Sequence, residues 1–149
     1  MFGRDNNYKN ELINLIRDLG IEDSVIFTGF KENVQDYIAV MDILVHASIN
    51  PEAFGLVICE GMALRKTVIA TGAGGPCEII NDPEIGYLVP PGNSLKLAEV
   101  IINYLNSPEE MKSIGLKAEK RIHEYFSADR MVERIEKLYE DIVCKSGTN

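Results

Sequence analysis

The sequence predicts an α/β fold: a doubly wound parallel sheet with helices on both faces. Three observations predict it. Strand-like and helix-like segments alternate along the chain. Among the strand-like runs, ILVHA at 43–47 is short and largely apolar, as strands covered on both faces are, and TVIA at 67–70 is another short strand. Turns rich in glycine or proline, such as TGAGG and VPPG, punctuate the passage from strand to helix. The 149 residues suit one domain, 1–149, with enough chain to bury a core unaided.

In order, a helix is expected over 8–19. Leu12, Leu15, Ile16 and Leu19 form its apolar face, and Gly20 ends it. VIFTG, residues 25–29, reads as a strand, followed by a short helix near 32–40 with Val34, Ile38 and Met41 inward. ILVHA is the next strand, expected to be buried on both faces. The loop SINPEA then leads into a helix beginning near Phe54. TVIA, the turn at 72–75 and a short helix opened by Pro76 come next. YLV ends in Pro90, Pro91 and Gly92.

The last third is helical. Ala98, Ile101, Ile102 and Leu105 share one face. Ser107, Pro108 and Glu110 read as a capping-box start for a helix whose stripe is Met111, Ile114, Ala118, Ile122 and Tyr125. Ser127 caps a final helix carrying Met131, Ile135, Leu138 and Ile142. Val132 and Tyr139 widen that stripe, which fits either a broad core-facing side or a second surface. The tail KSGTN is expected to fray. Residues 1–3 read as the end of a strand that needs chain before it, and about four strands is few for this architecture.

Composition excludes several functions. A net charge of −8 argues against a nucleic-acid surface. Cys59, Cys77 and Cys144 are dispersed, with no metal-ligand spacing, and suit a reducing compartment. No apolar run reaches the roughly 20 residues of a membrane span, and the N-terminus lacks a signal core. A cytoplasmic location is expected, with peripheral membrane association open to a longer parent protein.

The chemistry is expected in NPEAFGLVICEGM, residues 50–62. It joins the carboxyl end of a strand to a helix, where doubly wound sheets bind ligands. Phe54, Gly55 and Leu56 are expected in the first helical turn, whose free N–H groups suit a diphosphate. Gly55 permits close approach of a ligand to the main chain. Glu52 and Glu60, at helical spacing, stand about 12 Å apart. Glycosidase carboxylates sit at about 5–5.5 Å or 6.5–9.5 Å, so the pair suits two contacts on one elongated ligand better than a hydrolytic dyad. The other reading is two solvated glutamates, and spacing alone does not separate them. Gly74 and Gly75 belong to a turn that serves as a strand-to-helix connection, a pocket lining, or both. His46 is read first as a buried, hydrogen-bonded histidine and second as an active-site residue.

PEAFGLVICEGMA resembles the Glu-x7-Glu segment of group 1 glycosyltransferases, which have the GT-B fold. VIFTGF, DYIAVMDILVHAS, TVIATGAGGPCEII and GYLVPPG also occur in that family's order and spacing. The resemblance spans nearly the whole chain, from about Gly3 to Tyr139. It implies a Rossmann-like domain, the C-terminal, donor-binding half of a GT-B enzyme, whose N-terminal acceptor-binding domain is absent. The implied ligand is a nucleoside diphosphate sugar, transferred with retention by same-face attack, with no essential metal and no cofactor. Glu52 is implied as the catalytic-site contact to the donor sugar. Phe54, Gly55 and Leu56 offer main-chain donors to sugar and diphosphate, with Gly74 and Gly75 lining the sugar pocket. Glu60 takes the ribose hydroxyls, and Gly29, Phe30 and Lys31 match the loop beside the nucleobase. The family's diphosphate-gripping Arg and Lys fall before this chain begins, and neither Arg4 nor Lys9 occupies their segment. The alternatives are a nucleotide-sugar-binding module without catalysis, a sugar-nucleotide epimerase, or a phosphorylase, for which no pyridoxal lysine is evident.

Overall fold

A computed structural model describes residues 6–146. The expectations for residues 1–3 and for the last residues of the tail lie outside them. The chain forms two compact units, Met1–Glu32 and Asn33–Asn149.

In the first unit, α1 spans Asn6–Asp18 and a 3-10 turn follows at Glu22–Ser24. Leu12, Ile13 and Ile16 are half-buried, whereas Leu15 and Leu19 are exposed. The expected face is thus turned toward Ile13. Gly20 ends the helix in the left-handed region, at φ +64°. Lys9 lies over the Phe27 ring, 5.6 Å from its centroid. The strand expected at 25–29 is not formed. Val25 is extended, but no ladder runs through this segment among the described residues. An apolar run becomes a strand only where a partner edge takes its N–H and C=O groups.

The second unit holds the sheet. α2 (Val34–Ala39) precedes β1 (Ile43–His46), α3 (Leu56–Ala63), β2 (Thr67–Thr71), α4 (Pro76–Ile79) and β3 (Tyr87–Val89). α5 (Ser94–Leu105), α6 (Pro108–Tyr125) and α7 (Ala128–Ser146) complete the chain. The sheet order is β1-β2-β3, all parallel, with His46 opposite Ala70 and Thr71 opposite Val89.

Central strand β2 is buried at all five positions. Val68 and Ala70 face one layer, with Ile38, Ile58, Met62, Ile79, Ala118 and Ile122. Ile69 faces the other, with Val89, Val100, Tyr104 and Ile114. This alternation places helices on both faces of the sheet, as expected. The buried hydroxyls of β2 are both satisfied: Thr67 donates to the Met111 carbonyl at 3.1 Å and Thr71 to the His46 carbonyl at 3.0 Å.

Four expectations are corrected. β1 is not buried on both faces, since Val45 is 40% exposed. In α5 the inward side is Val100 and Tyr104, while Ile102 and Leu105 point out. Ser107 occupies the cap of α6, but its side chain makes no capping bond. Of Val34, Ile38 and Met41 only Ile38 is inward, for the other two are 38% and 39% exposed. In α7, Met131, Ile135, Leu138 and Ile142 are each 44–58% exposed, which favours the second-surface reading of that stripe.

α6 approaches the α3–β2 connection closely. Arg65 there has φ +58°, and a Cβ on Gly115 would fall on its carbonyl. Alanine in a helix is ordinarily about 0.8–1.0 kcal/mol better than glycine. Here the backbone contact reverses the sign. Gly115→Ala is expected to lose about 1–3 kcal/mol of unfolding free energy in urea titration, while Leu116→Ala, at an exposed position, shifts it by under about 0.5 kcal/mol.

Candidate functional site

The carboxyl ends of β1, β2 and β3 lie side by side, at His46, Thr71 and Val89. From the first of these the chain runs through Ala47–Phe54 into α3. Gly55 is the helix cap, at φ +103°, ψ 53°. Only glycine holds that conformation without strain, and a Cβ there would also press on Ile58 Cδ1. The first helical bonds are donated to Gly55 O by Ile58 N at 3.0 Å and Cys59 N at 3.3 Å. The N–H groups of Leu56 and Val57 therefore precede the ladder, at the positive end of the helix dipole. The sequence expectation is adjusted by one step: Phe54 lies before the cap, Gly55 is the cap, and Leu56 opens the first turn.

The loop is held by backbone contacts to the glycine turn after β2. Glu52 and Gly74 form a parallel bridge. Glu52 N donates to Ala73 O at 3.2 Å, and Gly75 N donates to Glu52 O at 2.8 Å. A Cβ on Gly74 would fall on the Glu52 carbonyl oxygen, and one on Gly75 on the Phe54 carbonyl oxygen. The turn is thus both a connection and part of the site, and its glycines are needed so that two main chains can touch. Because residues 52–54 belong to this bridged loop, the helical spacing assumed between Glu52 and Glu60 applies only from Leu56 onward.

Glu52 is partly exposed, with a 38% accessible side chain. Its Oε1 accepts from Phe54 N at 3.4 Å, and its Oε2 lies 3.8 Å from His46 Nε2. Glu60 is half-buried in the second turn of α3. Beside it, burial raises the pKa of the Cys59 thiol and the Glu60 carboxylate raises it further. That keeps Cys59 protonated near neutrality and unsuited to act as a nucleophile.

The Phe54 ring is engaged by a residue far along the chain from the loop that carries it. It packs on Phe126 at the α6–α7 junction, with centroids 6.1 Å apart. Arg121 lies 4.2 Å from the Tyr125 centroid and 5.4 Å from that of Phe126, and donates to Glu78 O at 3.2 Å. Phe54 thereby anchors the loop to the α6–α7 junction. The sequence reads Arg121, with Glu119 and Lys120, as a solvated helix face, and it gives no sign of the Phe126 contact; both are corrected by partners far away in the chain. Gly29, Phe30 and Lys31 belong to the first unit. Gly29 has φ +65°, the Phe30 ring is 90% exposed, and Lys31 is also exposed.

Comparison with known proteins follows this geometry. Residues 1–121 match the family described as Glycosyl transferases group 1. The chain is 33% identical over 132 residues to N-acetyl-alpha-D-glucosaminyl L-malate synthase of Bacillus anthracis, covering 89% of this chain and 34% of that protein. The crystal structure of Anabaena Alr3699/HepE in complex with UDP superposes with a TM-score of 0.90 at 31% identity, covering 95% of this chain and 38% of that one. The C-terminal domain of a group 1 glycosyl transferase (LpcC) from Francisella tularensis gives 0.77 at 32% identity, over 85% and 66% of the two chains. The chain spans between 15% and 34% of the length of the Bacillus anthracis synthase and two other curated relatives.

The bridge between loop and turn can be tested directly. Gly75→Ala is expected to cost about 1–3 kcal/mol of stability by urea titration, as the loop yields to the new Cβ. The amide NMR shifts of residues 52–57 should move more than those of α5. Unchanged loop shifts would show that the contact does not hold the loop.

Proposed function

This chain belongs to the group 1 glycosyltransferases, and we propose that it is the donor-binding half of a retaining enzyme of that family. Its ligand in this reading is a nucleoside diphosphate sugar, and its partner is an acceptor-binding domain. The observation that carries the reading is the α3 entry. N–H donors at Leu56 and Val57 open a helix at the sheet's carboxyl ends, with Glu52 before them and Glu60 one turn inside.

Each group has a chemical task. The α3 N-terminus binds the diphosphate and stabilises the charge that grows on it as the glycosidic C–O bond breaks. The acceptor oxygen bonds to the anomeric carbon from the same face, and its proton passes to the leaving diphosphate. Glu52 accepts from sugar hydroxyls near the reacting carbon. Glu60 accepts from the vicinal ribose hydroxyls, for which an ionised carboxylate offers only acceptor sites. Gly74 and Gly75 line the sugar end, while Gly29, Phe30 and Lys31 of the first unit match, by sequence, the family's loop beside the nucleobase. UDP-bound and UDP-glucose-bound forms of Alr3699/HepE support this ligand class.

α7 supports the two-domain reading. Val132 and Tyr139 are 48% and 65% exposed, beside Leu138 and Val143 at 57% and 69%. An apolar side of that breadth suits a helix that crosses onto an acceptor domain. No helix among the described residues is long and apolar enough to cross a membrane.

Carboxylate replacement separates the roles. Glu60→Ala should weaken UDP and UDP-glucose alike, by about 10-fold or more, since hydrogen bonds to a charged group are worth about 1.5–3 kcal/mol. Glu52→Gln should weaken UDP-glucose and spare UDP. Equal losses for both ligands in Glu52→Gln, read by NMR titration, would overturn the division. The purified 149-residue chain is expected to bind UDP-glucose more weakly than 1 micromolar (an affinity of about 8 kcal/mol) and to transfer no sugar alone. Tight binding or turnover of UDP-glucose onto any acceptor would refute this.

A further inference from the structure

We propose that His46 is a positioning residue for the Glu52 carboxylate. The inference rests on the donor-domain reading and adds to it the group that orients the sugar contact.

His46 ends β1, and its main chain is fixed there, because Thr71 donates its hydroxyl to the His46 carbonyl at 3.0 Å. Its side chain is 17% exposed, against 38% for Glu52, so the imidazole stands behind the carboxylate. Glu52 is approached from two sides, by Phe54 N on Oε1 at 3.4 Å and by His46 Nε2 near Oε2 at 3.8 Å. The first contact comes from the residue before the α3 cap and the second from the end of the sheet. Together they orient the carboxylate plane.

The tautomer follows from the other ring nitrogen. His46 Nδ1 is buried and has no hydrogen-bond partner in the structure. A neutral imidazole carries one N–H and one lone pair. A proton on Nδ1 would bury a donor without an acceptor and turn the Nε2 lone pair toward a carboxylate. A proton on Nε2 aims the donor at Glu52 Oε2. The Nε2–H tautomer is therefore the one this site selects. The 3.8 Å separation is longer than a hydrogen bond. Such contacts are commonly long in unliganded sites and tighten around the ligand. A histidine that merely filled space would not need a nitrogen buried without a partner, which an aliphatic side chain avoids.

The test uses the 149-residue chain, with UDP and UDP-glucose as probes followed by NMR shift titration. His46→Ala should weaken UDP-glucose by about 5-fold or more while UDP binds as before. His46→Gln, whose amide N–H reaches about as far as Nε2, should restore most of that affinity, and His46→Asn should not. Equal weakening of both probes in His46→Ala, or no rescue by Gln, would overturn the proposal. A second measurement needs no ligand. Long-range proton–nitrogen correlation of the neutral imidazole should show Nε2–H in the wild type, and the bias should relax in Glu52→Gln. A dominant Nδ1–H form, or a bias indifferent to Glu52→Gln, would also overturn it. If the wild-type chain bound neither probe, the donor-domain reading would fail, while the tautomer experiment would still decide whether His46 and Glu52 act as a pair.

Discussion

The touching of two main chains, Glu52 against Gly74 and Phe54 against Gly75, is the constraint on which the site depends. The loop after β1 has no regular structure of its own, yet it must deliver a carboxylate and a helix entry to defined places. Two backbone hydrogen bonds from the neighbouring turn do this. They work only where no side chain intervenes, which is why the turn after β2 carries glycines. The site is thus built from the ends of two adjacent parallel strands, and neither connection would hold its shape without the other.

That arrangement rests in turn on β2. With every residue of β2 buried, its carboxyl end is the most fixed point in the second unit. β1 and β3 take their register from it, and so do the loops that leave them. Arg121 adds a tie on the far side, stacking on Tyr125 and Phe126 while bonding to the Glu78 carbonyl in α4. Phe54 joins the same aromatic group. The loop is therefore held by peptide groups through the glycine turn and by a ring through Phe126.

Much of this was legible in the sequence, for local reasons. β2 was readable because its apolar run is uninterrupted, and α3 because a glycine breaks the chain just before a long apolar stretch. The failures share a non-local origin. The segment at 25–29 has strand composition, but a ladder needs a second edge, which local pattern does not supply. α5 is apolar on two sides, with Leu97, Ile101 and Tyr104 on one and Ile102 and Leu105 on the other, so periodicity alone fixed no phase. For α7 the period identified the apolar side correctly but not whether anything covers it. In the site, residue types and order pointed to Glu52, Gly55 and Glu60. The inward turn of the Phe54 ring and the pairing of Glu52 with the glycine turn depend on contacts about twenty to seventy residues away in the chain, beyond the reach of local pattern.

The exposed face of α7 has a consequence for how order is distributed through the molecule. A helix with little tertiary support lives near the margin of its own stability. A strand buried on both sides opens only with the whole domain. The protein therefore carries a gradient of local opening free energy, steep from β2 outward to α7. Phe54 lies on that gradient, since its ring rests on Phe126, where α6 gives way to α7. Any cover placed over α7 would raise the shallow end of the gradient, and the aromatic contact would pass part of that stiffening to the entry of α3. Cover over α7 and order at the entry of α3 are, in this molecule, mechanically adjacent.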